Sequence, residues 1–160
     1  MPASPDPVFW LRRAIALAVE NVNSGAGGPF GAVIVRNGEL VADGVNKVTV
    51  SCDPTAHAEM TAIRAAAEKL KTFELNGCEI YSSCEPCPMC LGAILWARLD
   101  RVWYAATHSQ ASAAGFDDSH FYEQVSLRPE QRRIPMLNGL PEEAEKPFLA
   151  WQRFSAKVPY

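Results

Sequence analysis

Two short stretches of the sequence carry side chains that can bind a metal ion. The first is His57-Ala58-Glu59, and the second, about thirty positions later, is Cys84-Glu85-Pro86-Cys87-Pro88-Met89-Cys90. Histidine nitrogen and cysteine sulfur are common zinc ligands in proteins. Three protein ligands leave a fourth position for water, whose pKa then falls to about 7. The two stretches therefore predict a zinc site that makes hydroxide at neutral pH.

Three cysteines of the second stretch repeat at three-residue intervals, and two of them are enough to complete the site. Pro86 disfavours helix at the residue before it and Pro88 suits the first turn of a helix, so a helix should begin near Cys87. Cys87 and Cys90 would then lie on one face of the helix N-terminus, where the dipole favours thiolates. Cys84 is left on the incoming strand or turn, outside the ligand set.

Glu59 follows the histidine by two positions and should therefore face a different direction. A carboxylate placed there can hydrogen-bond the water and move protons instead of binding the metal. The alternative is a closed structural zinc site, in which all three cysteines and His57 bind the ion. Because that alternative gives Glu59 no role, the sequence favours a catalytic site with one Zn²⁺ per subunit.

The composition predicts one compact domain over residues 1–160. Of the 160 residues, 48% are hydrophobic and 21% are charged, which is enough apolar material for a buried core. The cysteines number five, and three are crowded together, which suits reduced thiols and a metal better than a disulfide framework. We therefore expect a cytoplasmic protein. No apolar run reaches the length of a membrane-spanning helix, and no membrane partner is expected.

The charge of the chain bears on its partners. The formal net charge is −3 at pH 7 and the pI is near 5.6, so the protein as a whole has no electrostatic reason to bind nucleic acid. Arg128 with Arg132-Arg133 could still form a local basic patch. A small neutral substrate fits this balance better, and no nucleic-acid partner is expected.

The hydrophobic periodicity predicts alternating helices and strands. Helices are expected over about residues 7–24, 56–70, 88–97 and 141–157, and strands over 30–35, 40–45, 78–82, 101–105 and, at an edge, 134–137. Asp53 before Pro54 reads as the start signal of the second helix. Residues 109–114 fit either a helix or a loop.

The connections between these elements predict the fold. Asn37-Gly38 is a hairpin signal, so the first two strands should pair antiparallel. The strand–helix–strand order after residue 78 favours a right-handed parallel crossover. The expected class is α/β, a three-layer α/β/α sandwich with a mixed central sheet. Gly115-Phe116-Asp117-Asp118 is typical of a turn, and its two carboxylates could simply be solvated caps.

The two metal-binding stretches, in this order and spacing, resemble those of the zinc-dependent cytidine/deoxycytidylate deaminase superfamily. Within that superfamily the sequence is most similar to the bacterial guanine deaminases and the related guanosine deaminases. The matches outside the metal-binding stretches are Gly28-Pro29-Phe30-Gly31, Asn46, Asp53-Pro54-Thr55-Ala56, Ala114-Gly115-Phe116-Asp117-Asp118 and Tyr160. Residues 126–147 match only loosely.

The resemblance implies a cytidine deaminase-like fold and hydrolysis of guanine to xanthine and ammonia. The zinc ligands that it implies are His57, Cys87 and Cys90. The purine contacts that it implies are Phe30, Asn46, Ala58 and Tyr160. It makes Glu59 the proton shuttle and Asp118 a second catalytic carboxylate, which suits a purine edge that carries N1–H and an amino group. Asn46 could equally be an ordinary turn residue.

The resemblance also implies a homodimer in which residues 141–160, a helix and tail, cross to the neighbouring subunit, with Tyr160 as part of a lid over the purine. Three alternatives stay open for the function. The substrate could be guanosine, an aminotriazine or another nucleobase, or it could be an adenosine in tRNA, which would need a flipped nucleotide and phosphate contacts. The third alternative is a noncatalytic zinc-stabilised binding module.

Overall fold

The computed structural model describes residues 6–160 and divides into two compact units, one ending at Ser119 and one running His120–Tyr160. The first unit contains a sheet of β1 (Gly31–Arg36), β2 (Glu39–Val45), β3 (Cys78–Cys84) and β4 (Arg101–Ala106). Its helices are α1 (Pro7–Asn23), α2 (Val48–Ser51), α3 (Ala58–Leu70), α4 (Pro88–Trp96) and α5 (His108–Ala113). Helix α6 (Ser119–Ser126) begins at the boundary, and a 3₁₀ turn (Pro129–Gln131) and α7 (Lys146–Arg153) follow it.

The sheet is mixed and has the strand order β2-β1-β3-β4. Strand β1 pairs antiparallel with both β2 and β3, and β3 pairs parallel with β4. The β1–β2 turn contains Asn37 and Gly38, with φ angles of +53° and +77° that an Asn-Gly hairpin accommodates. Helix α4 joins the parallel pair. The predicted α/β class, the hairpin and the mixed sheet are therefore confirmed.

Apolar side chains of the sheet are buried on both faces, because alternate residues of a strand point in opposite directions. On one face Ile34 and Ile80 pack with Ala62 of α3. On the other face Val33 and Tyr81 pack with residues of α1, among them Trp10 and Ala14. Helices thus cover the sheet from both sides, as the three-layer prediction requires.

Two glycines of the sheet let helices approach at main-chain distance. A Cβ at Gly31 would lie 2.4 Å from the carbonyl oxygen of Ala14 in α1. A Cβ at Gly44 would lie 2.5 Å from both the carbonyl oxygen of Ala58 and the nitrogen of Ala62 in α3. Such distances exclude any side chain, so α1 and α3 rest directly on the strands.

The helix that the sequence predicts over residues 56–70 is α3, and it begins later than predicted. Asp53 Oδ1 accepts hydrogen bonds from the main-chain nitrogen of Thr55 at 2.8 Å and from its hydroxyl at 2.7 Å. Asp53 therefore stabilises a turn, and its assignment as the helix start was wrong. His57 has an extended backbone and is the N-cap residue, so α3 starts at Ala58.

The second unit differs more from the sequence prediction. Residues 134–137 do not form the predicted strand; the nitrogen of Met136 donates to the carbonyl of Pro129 at 3.3 Å, and Pro135 has no N–H to give to a ladder. Helix α7 is also shorter than predicted, because Pro147 occupies its first turn and residues 141–145 form turns before it. Within residues 6–160, no helix is both long and apolar enough to span a bilayer.

Candidate active site

The N-termini of α3 and α4 bring the metal-binding side chains together. His57 is the N-cap residue of α3 and Cys87 is the N-cap residue of α4, and both have an extended backbone. His57 Nδ1 lies 3.6 Å from Cys87 Sγ and 3.5 Å from the Sγ of Cys90, which is in the first turn of α4. Two positive helix ends therefore face the site and favour thiolates there.

The spacing of these atoms fits a zinc ion. The three ligand atoms of His57, Cys87 and Cys90 lie within 4.8 Å of one another. A nitrogen at about 2.05 Å and a sulfur at about 2.3 Å from one tetrahedral zinc ion are about 3.6 Å apart. The observed separations of 3.5 and 3.6 Å match this value. Cys84 is not a member of the cluster, and its Sγ lies 4.0 Å from the carbonyl oxygen of Thr107.

The three nearby thiols differ in protonation. A hydrogen bond from Cys90, followed by one from His57, lowers the pKa of Cys87 to about 4. The pKa of Cys90 is raised because its thiol donates to Cys87 and is buried. Burial raises the pKa of Cys84 to about 11. Cys87 is therefore the thiol already in the form that binds a metal at neutral pH.

Glu59 lies beside the ligand atoms in the first turn of α3 and is only 6% exposed. Its carboxylate accepts hydrogen bonds from the hydroxyl of Ser82 at 3.0 Å and from the thiol of Cys90 at 3.5 Å. Burial raises the pKa of Glu59 above its usual value. A raised pKa makes the carboxylate a better proton acceptor, which suits a proton shuttle.

Asn46 and Phe30 lie on connected segments that α1 holds in place. The main-chain nitrogen of Asn46 donates to the carbonyl of Phe30 at 3.1 Å. Asn46 Oδ1 accepts from the nitrogens of Gly28 at 3.4 Å and Val48 at 3.3 Å. Asn21, only 4% exposed, donates from Nδ2 to the carbonyls of Gly28 at 2.8 Å and Asn46 at 2.9 Å. The side chain of Asn21 therefore joins both segments to the helix.

The two adjacent carboxylates after Phe116 have different surroundings. Asp117 accepts hydrogen bonds from the nitrogen of Ser119 at 3.0 Å and from its hydroxyl at 2.6 Å, as in an ordinary turn. Asp118 Oδ1 instead lies 3.2 Å from Nδ1 of His108. Gly115, with a φ of +93°, allows the turn before them.

The segment of Asp118 is next to the metal-binding atoms and to Phe30. The ring of Phe116 meets that of Phe30 edge to face, with centroids 5.0 Å apart. The pKa of His57 is raised, first by its hydrogen bond with Cys87 and also by the negative charge of Asp118. Phe116 therefore connects this segment to Phe30, and Asp118 lies near enough to His57 for its charge to act on the ring.

Ala58 and Tyr160 are the two remaining residues that the sequence predicts as purine contacts. The side chain of Ala58 is fully buried in the core between α3 and the sheet. Its main-chain N–H, in the first turn of α3, is the polar group that it can offer to a substrate. Tyr160 belongs to the second unit and is 73% exposed.

Comparison with known proteins identifies the family. Residues 7–106 match the family model of the cytidine and deoxycytidylate deaminase zinc-binding region. The chain belongs to this deaminase family. The guanine deaminase of Bacillus subtilis (strain 168) is 54% identical to the deaminase over 151 residues, which are 94% of this chain and 97% of the relative. The X-ray structure of guanine deaminase from Bacillus subtilis covers 97% of the deaminase and 99% of its own chain, with a TM-score of 0.95 and 52% identity.

More distant relatives share less of the chain. The structure of a guanine deaminase from Nitrosomonas europaea has a TM-score of 0.67 and 32% identity, and the match covers 79% of the deaminase and 69% of that chain. The tRNA-specific adenosine deaminase of Aquifex aeolicus is 46% identical over 78 residues, 49% of this chain and 52% of the relative. The predictions of a zinc-dependent enzyme and of a deaminase fold are confirmed.

Several residues that shape the site of the deaminase were missed from the sequence. Ser82 was predicted only as part of a strand, Asn21 only as part of the first helix, and Glu85 and His108 received no role. A polar residue within the apolar stripe of α1 was the available signal for Asn21, because a buried amide needs partners. The contacts of Ser82, Glu85 and His108 join residues 23 positions apart, so sequence spacing gives no hint of them.

Proposed function

We propose that this deaminase converts guanine and water to xanthine and ammonia. The similarity to the guanine deaminase of Bacillus subtilis carries the proposal, because it covers 94% of the chain. The family model stops at residue 106, whereas this similarity continues past it into the part that contains Asp118. A second carboxylate beside the metal centre suits the N1–H and 2-amino donors of guanine.

The proposed mechanism assigns proton transfer to Glu59. Zinc bound to His57, Cys87 and Cys90 would lower the pKa of a water molecule to about 7 and so supply hydroxide for addition at C2 of the purine. Glu59 takes the proton of that water and returns it to a ring nitrogen. Glu59 then carries the proton of the added hydroxyl to the amino group at C2, so that ammonia leaves and the C2 carbonyl of xanthine forms. The hydrogen bond from the hydroxyl of Ser82 fixes the carboxylate for both transfers.

The proposed purine contacts give each edge of guanine a partner. Asp118 accepts from N1–H and the 2-amino group. Because Asn46 Oδ1 already accepts from two main-chain nitrogens, its Nδ2 is the end that can donate to an acceptor of the purine. Phe30 offers an apolar wall to the ring, and Ala58 can donate its main-chain N–H. In this scheme Tyr160 is part of a lid that covers the purine.

Ammonia release tests the proposal. Guanine, guanosine, adenine, cytosine and cytidine are each incubated with the zinc-loaded protein and, as a matched control, with the Glu59→Gln variant. Guanine should be turned over fastest, and the control should release little ammonia from any of them. Faster release from another member of the panel would overturn the assignment to guanine.

A tRNA adenosine deaminase is the second candidate, since part of the chain is 46% identical to such an enzyme. The net charge of −3 and the Asp117-Asp118 pair disfavour it, because RNA binding relies on phosphate contacts. Formation of inosine in a tRNA anticodon stem-loop is the deciding measurement. If inosine forms in the stem-loop and no xanthine forms from guanine, the protein is a tRNA adenosine deaminase instead.

We also infer a homodimer in which residues 141–160 cross between subunits and close over the partner's substrate. Large apolar side chains exposed on α4 support an interface: Met89, Leu91, Leu95 and Trp96. The second unit exposes Phe148, Trp151, Phe154 and Tyr160. Such residues are normally buried, and a neighbouring subunit is the proposed cover.

Mixed dimers test the crossing. A chain that lacks residues 158–160 and a Glu59→Gln chain, each nearly inactive, are refolded together. If tails cross, the mixed dimer contains one site with an intact Glu59 and a tail from its partner, and activity partly returns. If each tail serves its own site, mixing restores nothing. Sedimentation of the unchanged protein reports the dimer independently.

Two further proposals concern the whole chain. We propose that residues 1–160 function as one deaminase domain, so that a chain ending at Ser119 should lose activity. We also place the protein in the cytoplasm, because all five cysteines are free thiols and two of them, Cys87 and Cys90, belong to the metal-binding cluster. Localisation of a tagged protein in cells measures the second point.

A further inference from the structure

His108 lies between two carboxylates in the first unit. Its Nε2 is 3.3 Å from Glu85 Oε1, and its Nδ1 is 3.2 Å from Asp118 Oδ1. We propose that His108 is a positioning residue, which holds the carboxylate of Asp118 in the orientation that meets the purine. The inference rests on the proposed function, in which Asp118 contacts the substrate.

The ring of His108 is itself held by Glu85. The main-chain nitrogen of His108 donates to Glu85 Oε2 at 3.3 Å, so one carboxylate contacts both the backbone and the ring of the same residue. The nitrogen of Glu85 in turn donates to the carbonyl of Ala106, at the end of β4, at 2.8 Å. These contacts fix the direction of the imidazole, and its remaining nitrogen faces Asp118.

The helix that carries His108 is also fixed. Thr107 and Gln110 form a capping box at the start of α5, in which the Thr107 hydroxyl accepts from the Gln110 nitrogen. The Gln110 side chain accepts from the Thr107 nitrogen at 3.0 Å. His108 is the first residue of this helix, so its ring projects from a capped helix end.

Asp118, by contrast, lies on an irregular segment between Gly115 and α6. A side chain on such a segment has more freedom than one on a helix, unless contacts restrict it. His108 supplies that restriction. Glu85 precedes the metal ligand Cys87 by two positions, so the contacts from Asp118 through His108 to Glu85 connect the substrate carboxylate to the metal-binding turn.

A double-mutant cycle on the zinc-loaded enzyme tests the proposal. With guanine as substrate, His108→Ala should lower kcat/KM by about tenfold to a hundredfold, the effect of misplacing a binding group by about an ångström. In an Asp118→Ala background the same change should lower it by less than about twofold, because the group that His108 positions is gone. Zinc content and melting temperature are measured for each variant.

Two further variants separate positioning from helix stability. Gln110→Ala breaks the capping box without touching Asp118, and it should leave kcat/KM within about twofold of the unchanged protein. His108→Asn keeps a donor near the position of Nδ1 and should recover more activity than His108→Leu.

The proposal is overturned if the His108→Ala variant is fully active. It is also overturned if the substitution lowers kcat/KM by the same factor with and without Asp118. A loss in Gln110→Ala as large as that in His108→Ala would also overturn it. Failure of the proposed function looks different, because the unchanged protein would then release no ammonia from guanine. In that case the cycle is run on the purine that is turned over.

Discussion

The metal side and the substrate side of the site are built differently. His57, Cys87 and Cys90 occupy the ends of two helices packed against the sheet, and Glu59 is buried beside them. Asp118 lies instead on an irregular segment, where side-chain contacts determine its position. With the roles proposed above, the sheet and helices carry the residues that determine the reaction type, whereas the connecting segments carry those proposed to determine the substrate.

The largest expected effect tests the metal side. Cys87→Ala removes one of three ligand atoms and should abolish both zinc binding and turnover, because two remaining ligands hold the ion weakly. Cys84→Ala is the matched control and should keep its zinc, since Cys84 lies outside the ligand cluster. Metal analysis of the purified variants measures the difference. Loss of zinc from both variants would support the closed four-ligand site instead.

Glu59→Gln should have the next largest effect. The glutamine side chain has the same size and can still form hydrogen bonds, but it cannot accept a proton. Turnover should therefore fall by at least about a hundredfold while zinc stays bound. Ser82 still has an amide oxygen to donate to, and melting should change little. Zinc content, melting temperature and ammonia release are measured together. A fully active, zinc-loaded variant would contradict the proton-shuttle role.

Asp118→Ala compares the substrate side directly with the metal side. Loss of a carboxylate that accepts from the purine should lower kcat/KM for guanine by about tenfold to a hundredfold, with zinc retained. Asp117→Ala is the control, because Asp117 bonds to Ser119 in a turn and should mainly cost stability, about 1 kcal/mol. Steady-state kinetics and thermal melting separate the pair. Equal kinetic losses would mean that neither carboxylate alone faces the purine.

The smallest expected effect concerns thiol reactivity after zinc is removed by a chelator. Cys87, whose pKa is about 4, is a thiolate at pH 7, whereas Cys84, whose pKa is about 11, is almost entirely a thiol. The greater intrinsic nucleophilicity of the Cys84 thiolate offsets most of this difference, which leaves alkylation about tenfold faster at Cys87.

The alkylation at Cys87 should persist down to about pH 5, because a lowered pKa keeps the thiolate in acid. Mass spectrometry of the iodoacetamide-treated peptides gives both rates, under conditions where circular dichroism shows a folded chain. Protection of Cys87 by added zinc is the matched control. Equal rates at Cys87 and Cys84 would remove the electrostatic distinction between them.

The sequence was most informative where a local pattern decides the structure. Asn37-Gly38 predicted the hairpin, and Pro88 predicted the start of α4 and hence the spacing of Cys87 and Cys90. The metal side was therefore predictable, because its ligands lie at helix starts that short motifs specify. The hairpin and the mixed sheet were predicted, whereas the strand order β2-β1-β3-β4 was not.

The remaining features depend on contacts between distant residues. Asn21 reaches Asn46 across 25 positions, and His108 reaches Glu85 across 23, so no local pattern reports either contact. The strand predicted at residues 134–137 failed for a related reason, since an apolar run forms a strand only where another strand can pair with it. Sequence patterns describe one segment at a time, and the substrate side is assembled from several.

The close packing of α3 on Gly44 determines where the N-terminus of that helix lies, and with it the positions of His57 and Glu59. Even a methyl group there would have to push the helix away by about 1 Å to reach ordinary van der Waals distance. That shift would move His57 and Glu59 together, because both lie at the end of the helix that touches Gly44. Redesign of the enzyme for another purine can therefore vary the loops with position 44 kept as glycine, and the reaction centre keeps its alignment.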